Sequence, residues 1–273
     1  MPELPEVETV KVGLQCLVGI MLRGVQLYRP DLRWPIPADR VANLAGRKVV
    51  RIERRAKYLL LCFSGADRPV ALVHLGMSGR LFFGTASDPL VLHEHWRMDF
   101  GTRLLRFVDP RRFGMLDVVP TAHLSEHELL ADLGPEPLLP AFDADYVHAR
   151  TRKRKTPLKS WVMDAHEVVG VGNIYANEAL FRAGLRPQRR AATITRADAD
   201  RLVAAIRGVL SEAIAKGGTT IRDYVGAEQG MGYFQHELLV YDRAGEPCQR
   251  CAGTVKLLQN SARATYYCPR CQR

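Results

Sequence analysis

The sequence lacks any apolar run long enough to span a bilayer, which takes about 18 consecutive apolar residues. Its first ten residues contain three glutamates and lack the basic and then apolar pattern of a secretory signal. Acidic side chains are also in the minority, because 29 Asp and Glu face 39 Lys and Arg, which leaves a formal net charge of +10. We therefore expect a cytoplasmic protein with a polyanionic partner, either nucleic acid or a membrane surface.

The pattern of apolar residues predicts an α+β fold, and the 273 residues are enough for two domains with sizeable cores. Helical spacing predicts a first helix from about Pro2 to Val18. Its predicted buried face consists of Val7, Val10, Leu14, Leu17 and Val18. Short β-type runs separated by glycine, proline and aspartate follow, as expected of antiparallel strands. Helical patterns return in the second half, where Thr195 and Asp198 predict a capping box.

Prolines mark the boundary between these halves. Three of them follow the β-rich part closely and predict a stiff, non-helical connection. We therefore divide the chain into an N-terminal β-rich domain, a linker, a helical domain and a cysteine-rich module. The predicted bounds are 1–133, 134–149, 150–236 and 237–273.

The six cysteines are unevenly spread, and four of them lie near the C-terminus. Cys16 and Cys62 lie among apolar residues and are expected to be inert packing residues. The other four form two C-x2-C pairs separated by sixteen residues, the spacing of a four-thiolate zinc site. These predicted ligands of one structural Zn²⁺ are Cys248, Cys251, Cys268 and Cys271. Two disulfides are the alternative, which a reducing compartment disfavours.

The opening "MPELPEVETV" allows two interpretations. Proline and acidic residues suit the first turn of a helix. Alternatively, removal of Met1 would leave Pro2 with a free secondary amine, which is partly neutral and nucleophilic near its pKa of about 8. Glu3 adjoins this amine as a proton shuttle. Lys57 opens an apolar β-run, where its side chain either points inward or lies in solvent.

Two further segments suit phosphate binding. "RTRKRKTPLK" holds six basic residues and no acid between Arg150 and Lys159, which indicates either a solvated face or a phosphate contact. In "VVGVGNIYANEAL" a glycine-rich turn leads into a helix, where Asn173 and backbone N–H groups can face a phosphate. This turn lacks the lysine of a nucleotide P-loop, so on its own it is a weak signal.

Several long motifs occur in one order along the chain. They are "MPELPEVETV", "RRAKYLLL", "HLGMSGRL", "DPRRFG", "LGPEPL", "VVGVGNIYANEAL", "KGGTTIRDYV" and the terminal four-cysteine finger. In this order, and over essentially its whole length, the chain resembles bacterial formamidopyrimidine-DNA glycosylases. The related bacterial glycosylase for oxidised pyrimidines lacks a comparable "HLGMSG" and "DPRRFG" pair, so the chain is more similar to the purine-lesion branch.

The resemblance implies both a fold and a function. The implied fold is an N-terminal helix on a β-sandwich, followed by a helix–two-turns–helix domain and a zinc finger. The implied function is base-excision repair, in which oxidised purines such as 8-oxoguanine and formamidopyrimidines are removed and the abasic site is cleaved by β,δ-elimination. The implied partner is double-stranded DNA with an oxidised purine or an abasic site. We expect a monomer that associates with the nucleoid and not with a membrane.

The resemblance also implies catalytic roles. Pro2 would form a Schiff base with the sugar of the everted nucleotide, and Glu3 would be the acid/base residue. Lys57 would donate the proton in β-elimination. Arg263, in "NSARATYYC", would act in δ-elimination and grip the phosphates beside the lesion.

Six further residues correspond to DNA contacts of that family: Met77, His93, Arg111, Phe113, Arg154 and Asn173. Three of these, Met77, Arg111 and Phe113, would fill the space that the lesion leaves. The alternative places Met77 and Phe113 in the β-domain core and limits Arg111 to phosphate contacts. Arg154 departs from the lysine usual in the family and offers a planar fork in place of a point charge. "GTTIRDYVGAEQGMGYFQ" resembles the loop that covers the everted base.

Two other classes of protein explain less of the sequence. A non-catalytic zinc-ribbon DNA binder accounts for the charge and the cysteines but leaves Pro2, Glu3 and Lys57 without a role. A small-molecule enzyme with an N-terminal proline base, as in tautomerases, leaves the cysteine module and the net charge unexplained.

Overall fold

The computed structural model describes residues 1–219, 237–258 and 263–273. These residues form two compact units. The first contains 1–132 and 217–219, and the second contains 133–216 and the described residues from 237 onward. No helix among the described residues is both long enough and apolar enough to cross a membrane. Most of the predicted lesion-covering loop, from residue 220 onward, lies outside the described ranges.

The first unit opens with helix α1, Leu4–Leu14, and a 3-10 turn, Gln15–Leu17. The carboxylate of Glu6 accepts a hydrogen bond from the Glu3 backbone N–H at 2.8 Å, which closes the first turn. Val18 has an extended backbone and is 41% exposed. The helix therefore ends earlier than predicted, and Val18 is not part of its buried face. The other four residues of that face, from Val7 to Leu17, are buried as predicted.

The described residues of the first unit also form eight strands, a short helix α2, Ala38–Ala42, and a second 3-10 turn, Thr121–Glu126. The strands are β1 Gly24–Leu27, β2 Val49–Arg55, β3 Tyr58–Phe63, β4 Pro69–His74, β5 Arg80–Gly84, β6 Glu94–Asp99, β7 Leu104–Val108 and β8 Met115–Pro120. They form two antiparallel four-stranded sheets, ordered β1-β6-β7-β5 and β2-β3-β4-β8. Residues of both sheets share one apolar core with α1, in which Trp96 stacks on Phe107. The unit is therefore a β-sandwich.

The second unit is mainly helical. Its elements are α3 Ala144–Thr151, α4 Leu158–Val162, α5 Asn173–Ala183, α6 Arg196–Ala215, β9 Lys256–Leu258 and β10 Thr265–Tyr267. The predicted capping box of α6 is confirmed, because the Thr195 hydroxyl accepts from the Asp198 N–H and the Asp198 carboxylate accepts from the Thr195 N–H. Helix α3 begins inside the segment predicted to be non-helical, because Asp143 caps it after the last of the three prolines. The predicted α+β fold is confirmed.

One contact returns the chain to the first unit after α6. Glu6 accepts hydrogen bonds from both the backbone N–H and the hydroxyl of Thr219, at 2.9 and 3.0 Å. Gly218 has a positive φ of 84°, and a Cβ there would meet the Glu6 carboxylate at 2.9 Å. Only glycine fits this close approach without displacement of Glu6. Residues separated by 213 positions are thus held together in the first unit.

Candidate functional site

Pro2 and Glu3 are buried ahead of the first turn of α1, and Glu3 is only 3% exposed. The proline inside that turn is Pro5, because the helix begins at Leu4. The structural interpretation requires Pro2 to stand in the first turn of the helix, but Pro2 lies before that turn. This arrangement favours the chemical interpretation of the N-terminal proline.

Lys57 occupies the tight turn between β2 and β3, in which Arg55 pairs with Tyr58 and Ala56 takes a positive φ of 53°. Its side chain is half-buried, which is neither of the two extremes that the sequence left open. Burial, and then the positive charge of Lys57, lower the pKa of His74 to about 4. Lys57 therefore lies close enough to His74 for its charge to disfavour protonation of the ring.

His74 is a residue that sequence reasoning missed. It ends β4, and its ring lies 4.9 Å from the ring of Tyr58. Nδ1 accepts a hydrogen bond from the Gly76 N–H at 3.0 Å, as a neutral imidazole can. The only available signal was its position at the end of an apolar strand, directly before "LGMSG".

Met77, Arg111 and Phe113 all lie exposed on the first unit, on the loops after β4 and β7. The exposed fractions of Met77 and Phe113 are 38% and 42%, so neither belongs to the β-domain core. The Arg111 guanidinium lies 5.0 Å from the centre of the Phe113 ring. His93 is also exposed, and its backbone takes a positive φ of 66°, which is uncommon for a residue other than glycine. The apolar side chains of Met77 and Phe113 and the nitrogen-bearing side chains of His93 and Arg111 are thus all exposed to solvent.

Asn173 is the first residue of the eleven-residue helix α5 in the second unit. The amide groups at a helix N-terminus favour an anion, because of the helix dipole. The Asn173 side-chain oxygen is buried and has no hydrogen-bond partner among the described residues. Rotation of this amide would direct its N–H donors to the same point.

The Arg154 guanidinium forms an ion pair with the carboxylate of Glu167. One of its guanidinium nitrogens lies 2.5 Å from Oε1 of Glu167, whose side chain is 1% exposed. Arg150 binds the other oxygen of the same carboxylate at 2.8 Å. About half of the Arg154 side chain remains exposed. The structure thus gives Arg154 a protein partner that the sequence did not predict.

Lys159, at the end of the basic run, is not part of a solvated face. It is 7% exposed and donates to the Ala264 carbonyl at 2.7 Å and to the Thr265 hydroxyl at 2.9 Å. Arg263, the residue before Ala264, is exposed and lines a cavity of about 410 Å³ together with Lys159. Sequence reasoning missed this role, because the partners are 105 and 106 positions apart.

The four predicted zinc ligands come together in the second unit. Their sulfur atoms all lie within 4.8 Å of one another, and the Cys248–Cys271 and Cys251–Cys268 distances are 3.8 and 3.5 Å. Tetrahedral Zn²⁺ with Zn–S bonds of about 2.3 Å requires sulfur atoms about 3.8 Å apart. Hydrogen bonds from the backbone N–H of Gly253 and then from the neighbouring thiols lower the pKa of Cys251 to about 7. The cluster fits a zinc ion, and all six cysteines, every one of them described, are free of disulfides.

Comparison with protein families matches three models in succession. They are the formamidopyrimidine-DNA glycosylase N-terminal domain over residues 1–116, its H2TH domain over 133–225, and a zinc finger found in FPG and IleRS over 245–273. The formamidopyrimidine-DNA glycosylases of Thiobacillus denitrificans and Thioalkalivibrio sulfidiphilus are 50% and 51% identical to the chain, and each match covers both proteins completely.

Solved structures agree with these matches. A mutant of the Lactococcus lactis FPG in complex with Fapy-dG-containing DNA has a TM-score of 0.92 and 32% sequence identity, with both chains covered completely. The Lactococcus lactis Fpg bound to abasic-site DNA has a TM-score of 0.91 and the same identity, over 99% of each chain. Fold, H2TH region and cysteine cluster together define the class of helix–two-turns–helix DNA glycosylases with a zinc finger. Within it, this chain belongs to the formamidopyrimidine-DNA glycosylase family.

Proposed function

We propose that the protein removes oxidised purines from double-stranded DNA and then cleaves the abasic site by β,δ-elimination. The observation that carries this proposal is the buried N-terminal Pro2–Glu3 pair, which lies outside α1 in a chain half identical to named formamidopyrimidine-DNA glycosylases. Fapy-dG and abasic-site DNA are also what the Lactococcus lactis relatives bind. The partner is therefore duplex DNA.

Each chemical step has a residue of suitable chemistry. The Pro2 nitrogen, freed by removal of Met1, attacks C1′ of the everted nucleotide and expels the base. The C1′–O4′ bond then breaks and O4′ takes a proton, so that the opened sugar is held as an iminium ion. The iminium acidifies the C2′ proton, and loss of that proton expels the 3′ phosphate. A second elimination expels the 5′ phosphate. Glu3 serves as the acid/base residue, Lys57 as the donor in the first elimination and Arg263 as the residue for the second.

The products test this proposal directly. A duplex with one 8-oxoguanine should be cut to leave a gap with phosphate at both ends, because both eliminations occur. A product with an unsaturated sugar on the 3′ end would show β-elimination alone and would remove the role of Arg263. An intact strand that carries an abasic site would show that the protein is not a lyase.

The cysteine cluster supplies the structural part of the proposal. We propose that Cys248, Cys251, Cys268 and Cys271 hold one Zn²⁺ per chain. A four-thiolate site has no open position, so the ion supplies folding energy to the finger and no catalytic chemistry. The finger in turn carries Arg263 next to β10.

Arg154→Ala should weaken the binding of all duplexes alike and reduce the slope of log affinity against log salt by about one. The substitution does not leave a buried carboxylate unpaired, because Glu167 keeps Arg150 at 2.8 Å. About five phosphate contacts would give the wild-type protein a slope near −4 to −5. Fluorescence anisotropy between about 50 and 200 mM salt measures both slopes.

Arg196→Ala is the matched control for this measurement. Arg196 is also an exposed arginine of the second unit, but it binds Asp145 and Asp200 at 2.5 Å each. Its removal should leave the salt slope unchanged. Equal slopes for wild-type protein and Arg154→Ala would show that Arg154 serves Glu167 and not the DNA.

Arg111→Ala should abolish most of the preference for a lesion opposite cytosine over one opposite adenine. An arginine that reads a base edge is worth about 1–3 kcal/mol of discrimination. Covalent trapping on a pre-formed abasic site should persist, since it depends on Pro2. Competition between the two duplexes measures the preference as a ratio of kcat/KM values.

The neighbouring arginine provides the control here. The Arg112 guanidinium binds the Asp31 carboxylate at 3.0 Å, unlike that of Arg111, which lies over Phe113. Arg112→Ala should therefore keep the preference for cytosine. An undiminished preference in Arg111→Ala would rule out a role for Arg111 in reading the opposite base.

A further inference from the structure

Asp109 lies at the centre of the loops that carry the proposed DNA contacts of the first unit. It directly follows β7 and is fully buried, with 0% exposure. Its backbone N–H donates to the His93 carbonyl at 3.0 Å. Its own carbonyl accepts a hydrogen bond from Nε2 of His95 at 2.8 Å. The backbone of Asp109 thus holds the loop that presents His93.

The carboxylate of Asp109 joins two further loops. Oδ1 accepts from the Ser78 hydroxyl at 2.6 Å, and Oδ2 accepts from the Gly114 N–H at 2.7 Å. The Ser78 oxygen in turn accepts from the Arg111 N–H at 3.2 Å. Ser78 follows Met77, and Gly114 follows Phe113. Met77 is thus adjacent to Ser78, the backbone of Arg111 is bonded to Ser78, and Phe113 is adjacent to Gly114, which is bonded to Asp109.

The two loops also touch through their backbones. Gly76 has a positive φ of 66°, and a Cβ there would lie 2.4 Å from the Phe113 carbonyl carbon and 2.5 Å from the Gly114 nitrogen. No side chain can therefore stand between the loops. Because the contact is backbone on backbone, a shift of one loop must displace the other.

We infer that Ser78 and Asp109 are positioning residues that lock the Met77 loop and the Arg111–Phe113 loop into one preformed wedge. These hydrogen bonds hold the apolar side chains of Met77 and Phe113, and Arg111 beside them, in a fixed geometry. DNA binding therefore does not have to order the two loops separately. This inference rests on the proposed function, because it takes Met77, Arg111 and Phe113 as the side chains that occupy the vacated space.

Insertion of the wedge can be followed with 2-aminopurine placed beside the base opposite an 8-oxoguanine. Ser78→Ala and Asp109→Asn should slow the fluorescence change about tenfold in stopped flow. The first removes a hydrogen bond to a buried carboxylate, and the second replaces that carboxylate by an amide with only one acceptor oxygen. Both variants should also lose preference for cytosine opposite the lesion. The end-point yield of borohydride trapping on a pre-formed abasic site should remain that of the wild-type protein.

Two controls of the same unit separate positioning from general stability. Asp117→Asn removes a carboxylate that binds His127 at 3.2 Å, and Ser64→Ala removes a hydroxyl that accepts from the Lys48 N–H at 3.0 Å. Neither is part of the two loops, so insertion should keep its wild-type rate. Ser78→Ala removes a single hydroxyl and tests the lock even where Asp109→Asn yields little folded protein.

Phe113→Ala distinguishes the inference from the function on which it rests. Slow insertion by Phe113→Ala, together with wild-type rates for Ser78→Ala and Asp109→Asn, would overturn the lock but leave the wedge in place. A wild-type rate for Phe113→Ala would show that Phe113 does not enter the DNA, and both the wedge and its lock would then be wrong. Slow insertion by all three variants, with normal controls, supports the lock.

Discussion

Borohydride added to the protein and a duplex that contains 8-oxoguanine should give a covalent complex attached through Pro2. The secondary amine forms an iminium ion with C1′ of the opened sugar, and hydride adds to that carbon to leave a stable tertiary amine. Digestion and mass spectrometry should place the adduct on the N-terminal peptide, which ends at Lys11. An adduct on Lys57 would show that Lys57, and not Pro2, is the nucleophile.

The sharpest variant blocks the amine without removal of any side chain. One extra residue ahead of Pro2 converts its nitrogen to an amide, which is not nucleophilic. Trapping and strand cleavage should fall by roughly 10³-fold or more, as when a covalent nucleophile is removed from an enzyme. DNA affinity should change much less, because the basic and finger residues are untouched.

Pro5→Ala is the matched control for this blocked amine. Pro5 is the second proline of the same segment and lies in the first turn of α1, but its nitrogen is already in a peptide bond. This variant should be trapped normally. Normal cleavage by the protein with the blocked amine would exclude Pro2 as the nucleophile, whatever the control shows.

Features that depend on neighbouring residues could be predicted from the sequence. The α6 capping box needs only Thr195 and Asp198, three positions apart, and both hydrogen bonds are present. The cysteine spacing predicted a cluster, and the sulfur atoms meet in the geometry of a metal site. Such rules hold because a helix end or a C-x2-C turn is stable by local geometry.

Contacts between remote residues could not be predicted in this way. Ser78 and Asp109 are 31 positions apart, and Glu6 and Thr219 are 213 apart. Tertiary packing brings each pair together, and no spacing rule relates their positions. The prediction that Val18 belongs to the buried face of the helix was wrong for a related reason. The helical spacing of apolar residues continues to Val18, but the chain has already left the helix, and Gly19 pairs with Val49.

Cys248→Ser should lower the zinc content from about one ion per chain to nearly none. Binding of zinc to a four-thiolate site is worth about 10–16 kcal/mol and is coupled to the folding of the module that holds it. Cys248 and Cys268 are buried in one apolar cluster with Phe181 of α5, Val240 and Val255. Loss of the ion therefore exposes part of the core of the second unit. Atomic emission analysis of the purified protein measures the zinc content.

The same variant should lose at least about 100-fold in affinity for lesion-containing duplex, equivalent to about 3 kcal/mol. Arg263 is next to β10, and β10 leads directly to Cys268, so an unfolded finger cannot hold this arginine in place. Hydrogen exchange in α1 and the two sheets should remain as in the wild-type protein, because the first unit has its own core. Cys16→Ser is the control, since Cys16 is exposed and lies outside the cluster. Wild-type affinity in Cys248→Ser, or an unchanged zinc content, would show that DNA binding does not depend on a zinc-stabilised finger.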